Sequence, residues 1–197
     1  MLPQDFQEIV QHYVDLFHEK DYYFDDDQKR LRYFHKNPLN DDVCEIIVKI
    51  STMEHHQIDD RLCSRRAMAE HIAALQMDPA LQQGRPEVVD AVARLSVHHR
   101  DYFYSFASQY CNWHNPSAYP IYDLSMHNLL TFYWKKCQHT ELLNDDLHDY
   151  PRFKDRVVEF RKQIGMEKYD YKELDKFVWI YGNHIIQDAL RLKQPVL

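Results

Sequence analysis

Three observations predict an all-α protein. Apolar residues return at three- and four-residue intervals in segment after segment. No stretch alternates apolar and polar residues with the period of two that a half-buried strand needs. Glycine is scarce, with 3 in 197 residues, which leaves few places for tight hairpins or Gly-rich phosphate loops. Typical helix lengths divide such a chain into roughly eight to ten helices. They form a single compact multi-helix domain or two helical lobes sharing a core, and the 45% hydrophobic fraction can fill that core without disulfides or metal staples.

In chain order, Phe6, Ile9, Val10, Tyr13, Val14 and Phe17 mark one face of a first helix, with Asp5 placed to cap it. The segment DYYFDDDQKRLRYFHKNP is expected to be helical in its basic part and to stop by Pro38. Asn40 to Asp42 offer caps to a helix with Val43, Ile46, Ile47 and Ile50 inward. Ser64 is placed to cap the next, which carries Met68, Ile72 and Leu75. Asp78-Pro79 opens a short helix that Gly84 ends, and Pro86 opens another with Val88, Val89, Val92 and Leu95 on one side.

A longer helix carries Phe103, Phe106, Ala107, Tyr110 and His114, and a further one runs from Leu124 to about Lys136. Residues 138–150 are polar and expected to be a connection. Pro151 opens a helix with Phe153, Val157, Phe160 and Ile164 on one side, ended by Gly165. Asp170 and Glu173 have capping-box spacing at the start of the last helix, whose face is Leu174, Phe177, Val178, Tyr181 and Ile185. Trp179 is expected to widen that buried face, and Gly182 weakens the expectation of one unbroken rod.

Charge divides the chain softly near residue 60. Residues 1–60 hold 14 acids against 6 bases, and residues 61–197 hold 17 against 18. This suggests an acidic N-terminal helical segment, 1–60, packed on a main body, with 61–197 as the helical core domain. The overall charge of −7 is not the basic footprint of a dedicated nucleic-acid binder, although the larger part is neutral enough to carry a local basic face. Cys44, Cys63, Cys111 and Cys137 form no C-x-x-C pair, and no signal peptide precedes them, so reduced thiols in a cytoplasm are expected. No apolar run approaches the ~18 residues of a membrane span.

The most informative stretch is Ser105 to Lys136, SFASQYCNWHNPSAYPIYDLSMHNLLTFYWKK. It reads as a helix, a loop stiffened by Pro116 and Pro120, and a second helix opening at Asp123. As an N-cap, Asp123 would meet backbone N–H groups and the positive end of the helix dipole, both favouring its ionised form. A carboxylate so placed can stabilise a cationic sugar or activate a water, as cleavage of an N-glycosidic bond requires.

This arrangement of helix, Pro-hydrophobic-x-Asp turn and helix resembles the catalytic core of the helix-hairpin-helix DNA glycosylase superfamily. The resemblance covers residues 105–136 and implies a nucleic-acid base as substrate, DNA or RNA as partner, and Asp123 as the catalytic carboxylate. Ser105 would fall where the family's helix leaves its hairpin. The family's hairpin glycines are absent from His98 to Phe103, and no lysine occurs between Lys49 and Lys135, so a lysine nucleophile near Ser105 is excluded. What remains is monofunctional, hydrolytic N-glycosylase chemistry without a cofactor, or a scaffold that kept the fold and lost the reaction.

Base extrusion needs stacking surfaces, for which Tyr119 and Tyr122 in the loop, Trp113 as a pocket wall and His127 on the following helix are the candidates. Arg152, Lys154 and Arg156 are the candidate phosphate contacts. Cys111, His114, Asp123 and His127 have spacings that could be read as a zinc site, but no second paired motif flanks them and no metal is expected. Arg94 and His99 match an R-x4-H spacing of helical ribonucleases, a pattern that Arg66 and His71 repeat by chance. A non-catalytic protein-interaction module using the acidic residues 1–60 against a basic protein is the other reading.

Overall fold

The computed structural model describes residues 6–19, 21–53, 65–95, 103–135, 142 and 144–191. Among them are eleven α-helices and no strand. In order they are α1 (Phe6–Glu19), α2 (Asp21–Lys36), α3 (Val43–Thr52), α4 (Arg65–Ala74), α5 (Asp78–Gln82), α6 (Glu87–Ala93), α7 (Tyr104–His114), α8 (Leu124–Tyr133), α9 (Asn144–His148), α10 (Tyr150–Gln163) and α11 (Tyr171–Arg191). The protein is all-α. The stretch expected as a connection contains the short α9, α2 is helical through its acidic half as well, and α11 runs through Gly182 unbroken. The expected caps Asp5 and Ser64, and His98 and His99, lie outside the described residues.

Local chemistry explains most boundaries. Asp42 caps α3 by accepting from the Glu45 amide at 3.0 Å, and Asp149 caps α10 through the Arg152 amide at 3.1 Å. Asp170 and Glu173 form the reciprocal capping box of α11: the Glu173 amide donates to Asp170 at 2.9 Å, and the Asp170 amide donates to Glu173 at 3.0 Å. Gly84 follows α5 at φ +70°, where a Cβ would lie 2.7 Å from the Ala118 Cβ. Only glycine lets the α5–α6 turn and the loop before Asp123 come so close.

α7 is the hub. It packs against α2, α5 and α6, and eight of its eleven residues are buried, among them Phe106, Tyr110, Cys111 and Trp113. Its buried residues include the polar Ser108 and Asn112, whose side chains bond the loop that follows, so its sequence shows no sharp division into apolar and polar faces. α1 packs on α11, α3 on α4, and α8 on both α10 and α11. The buried residues form one cluster from Val10 in α1 to Val178 in α11, so residues on both sides of position 60 share it. Trp179 departs from expectation: it stands 46% exposed.

Candidate functional site

The loop between α7 and α8 is pinned along its length. Asn112 of α7 donates to the Tyr119 carbonyl at 2.7 Å, and Tyr150 of α10 donates to the Pro120 carbonyl at 2.8 Å. The Tyr122 amide donates to the Ser108 hydroxyl at 3.0 Å, and that hydroxyl donates to the Ser105 carbonyl at 2.9 Å. The Tyr171 amide, at the start of α11, donates to the Pro116 carbonyl at 3.0 Å. These bonds deliver Asp123 to the start of α8, where its carboxylate accepts from the Met126 amide at 2.7 Å.

The electrostatics of Asp123 differ from the expectation. Burial raises its pKa above the ordinary carboxylate value, and the Met126 and Ser125 amides only partly offset this. The cap bonds favour the anion, but desolvation is the larger effect at this half-buried position.

Beside it lies a group of rings. The Tyr122 hydroxyl is 3.1 Å from His127 Nδ1, the Tyr122 ring centroid is 5.8 Å from that of His148, and the two imidazoles are 6.1 Å apart. Tyr122 and His127 are half-buried and His148 is exposed, so this group reaches the surface. Ser105 is half-buried in the first turn of α7.

Two expected contacts are elsewhere. Tyr119 is 0% exposed, and its hydroxyl donates to the carbonyls of Arg85, Leu81 and Ala80 at 3.0 to 3.4 Å. It anchors the α5–α6 turn and presents no surface to a ligand. Trp113 is 3% exposed, with Phe34 stacked on it at 6.0 Å and the Lys172 ammonium 3.5 Å from its ring centroid. Tyr119 is enclosed because the loop folds back onto α5, and Trp113 because Phe34 of α2 and Lys172 of α11 cover its ring.

The expected phosphate contacts also separate. Arg152 is exposed. Lys154 donates to the Gly84 carbonyl at 3.1 Å, and Arg156 pairs with Glu159 at 3.2 Å while lying 5.9 Å from the Trp134 ring. Among the described residues no three His, Cys, Asp or Glu side chains gather as a metal requires, and burial pushes the Cys111 thiol well up.

One group was not read from the sequence as chemistry. Lys172, Asp175 and Lys176 form one stripe of α11, at positions i, i+3 and i+4. Lys176 lies 3.0 Å from the buried carboxylate of Asp27 in α2, and Arg30 lies 3.7 Å from it. Burial holds the Lys172 amine down at about 8. Burial raises the Asp175 carboxyl to about 6; Lys172 and Lys176 pull it back, and the charges of Asp123 and Asp27 push it up. Asp123 and Asp175 are therefore within electrostatic reach of each other. The sequence signal was the helical spacing of the three charges, which the adjoining capping box obscured.

The chain belongs to the HI_0787 N-terminal domain family, whose model matches residues 9–118. The match includes all of α7 and ends before Asp123. A protein of Haemophilus influenzae described as an uncharacterized protein is 28% identical over 149 residues, covering 75% of this chain and 71% of that one. No solved structure matches. No helix among the described residues is long and apolar enough to cross a membrane.

Proposed function

We propose that this chain is a glycosylase-like helical protein that binds or processes a nucleic-acid base, with Asp123 as its carboxylate and hydrolysis by water as its reaction. The observation that carries this reading is the setting of Asp123: a half-buried N-cap carboxylate, oriented by the Met126 amide at 2.7 Å, beside the surface-reaching rings of Tyr122, His127 and His148. The anion would stabilise the oxocarbenium sugar as the base departs and would orient the attacking water. Of the four expected base contacts, Tyr122 and His127 remain, and the enclosed Tyr119 and Trp113 do not. Burial raises the Asp175 carboxyl to about 6 and the charge of Asp123 adds to that rise, so the two carboxyls share one electrostatic field. Arg152 is the phosphate contact that remains. Reduced Cys44 and Cys111 suit a cytoplasmic setting.

The test is base release from oligonucleotides carrying modified bases. Asn caps a helix about as well as Asp, so Asp123→Asn removes the charge and keeps the fold. Release lost with an unchanged melting temperature supports the reading. A wild-type chain that releases no base and binds no oligonucleotide at low salt ends it.

A second reading, a protein-interaction module, is favoured by Leu39 and Val48, which stand 52% and 46% exposed within the acidic residues 1–60. A basic partner with an apolar patch would fit that surface, and a pull-down dependent on Leu39 and Val48 would reveal it.

A further inference from the structure

Asp123 and His127 stand one turn apart at the head of α8, and the His127 amide donates to the Asp123 carbonyl at 2.9 Å. Side chains at this spacing are neighbours, with about 5–6 Å between their Cβ atoms. A carboxylate and an imidazole so placed can reach the two sides of one glycosidic bond. The His127 ring is half-buried, with the Tyr122 hydroxyl 3.1 Å from Nδ1 and the His148 ring centroid 6.1 Å away. Tyr122 is in turn fixed by ring contacts with Tyr104 at 4.5 Å and Phe153 at 5.3 Å. A hydroxyl donates to a bare Nδ1 and accepts from a protonated one, so this bond holds the ring in either protonation state. It leaves Nε2 as the nitrogen that a guest can meet.

Release of a base breaks the bond between the sugar carbon and a ring nitrogen, and the electron pair leaves with the base. An uncharged base leaves readily only if one of its acceptor atoms takes up a proton as the bond breaks. Asp123 serves the sugar cation and the water, and does not supply that proton. We propose that His127 is the general acid of the Asp123 site and that the substrate carries an uncharged base. The inference rests on the Asp123 reading. Protonated His127 passes its Nε2 proton to the departing base, water adds to the sugar cation, and one proton of that water leaves through Asp123 to solvent. His127 then regains a proton from solvent. Burial chiefly, and the charge of His148 in α9, hold the His127 pKa below its ordinary value. α10 presents the uncharged Phe153 to Tyr122, and Asp175 of α11 acts on Asp123. The acid form is thus lost as pH rises through a point below the usual histidine value of about 6.5.

The test measures base release by the full chain, across pH, from oligonucleotides carrying hypoxanthine or uracil, which are uncharged, or 7-methylguanine, which is already cationic and leaves without a proton. Release of an uncharged base is expected, with an alkaline limb centred below about 6.5. His127→Gln should lower that release at least about a hundredfold, abolish the limb, and lower any release of 7-methylguanine far less. His148→Gln, at an exposed position, removes the neighbouring charge and should move the limb to higher pH. Thermal melting checks both folds; if His127→Gln does not fold, the wild-type limb and its shift in His148→Gln decide. Release confined to 7-methylguanine, a wild-type profile without the alkaline limb, or a folded His127→Gln that releases the uncharged base as well would each overturn the proposal and leave the Asp123 reading standing. A wild-type chain that releases no base ends both.

Discussion

At residue scale, Asp123 caps α8 and, on the proposed reading, also serves as the catalytic carboxylate, and substitutions can separate the two tasks. Asp123→Ala loses the cap bond to Met126 and should cost about 0.5–2 kcal/mol in urea unfolding, whereas Asp123→Asn should cost far less. Because burial raises its pKa, the ionised form is lost at higher pH than for an ordinary carboxylate. On the proposed reading, base release should therefore fall as pH drops, with the midpoint of that acid limb above the usual Asp value of about 3.9. Tyr119 is the complementary case of a structural residue in a functional-looking loop. Tyr119→Phe should cost about 1 kcal/mol, since its hydroxyl bonds the backbone of Ala80, Leu81 and Arg85, and should leave base release intact. Its loop position and aromatic ring suggested a contact with a guest, because nothing in the local sequence shows that the loop folds onto α5.

At element scale, the helices follow from periodicity and caps, and their contacts decide which faces matter. The α11 capping box was legible because Asp170 and Glu173 are three residues apart and bond each other. The stripe of Lys172, Asp175 and Lys176 was not, because its meaning depends on Asp27 of α2 and Asp123 of α8. Gly84 shows how two elements can depend on one atom that is missing. Gly84→Ala combines a left-handed φ with a Cβ pressed against Ala118 and should destabilise by roughly 1–3 kcal/mol, measurable by thermal or urea unfolding. The loop it supports carries Asp123, so the same variant should also lower base release on the proposed reading.

At the scale of the whole molecule, a buried cation ties α3 to the link after α2. Lys49 is 0% exposed, and burial holds its amine down at about 8. Between that value and the unfolded lysine pKa of about 10.4, the unfolded chain binds a proton that the folded chain does not. This group therefore makes stability rise with pH through that window, and its contribution is lost as pH falls through about 8. Replacing it in Lys49→Met should remove that rise; urea unfolding of both proteins at several alkaline pH values measures the difference in slope. The burial of Lys49 was not foreseen, since it sits one residue before Ile50 on a helix read only for its apolar positions.

The amino-acid order by itself determined the helical class, most helix starts and stops, and the placing of an aspartate at the head of α8. Those are local properties: 3.6-residue periodicity, proline geometry and side-chain-to-amide caps act within a few positions of one another. Tertiary structure alone decided that Tyr119 and Trp113 are enclosed, that Asp175 shares the field of Asp123, and that His127 lies beside His148. Burial and charge coupling depend on which helices meet, and in a bundle gathered around α7 those meetings join residues far apart in the chain.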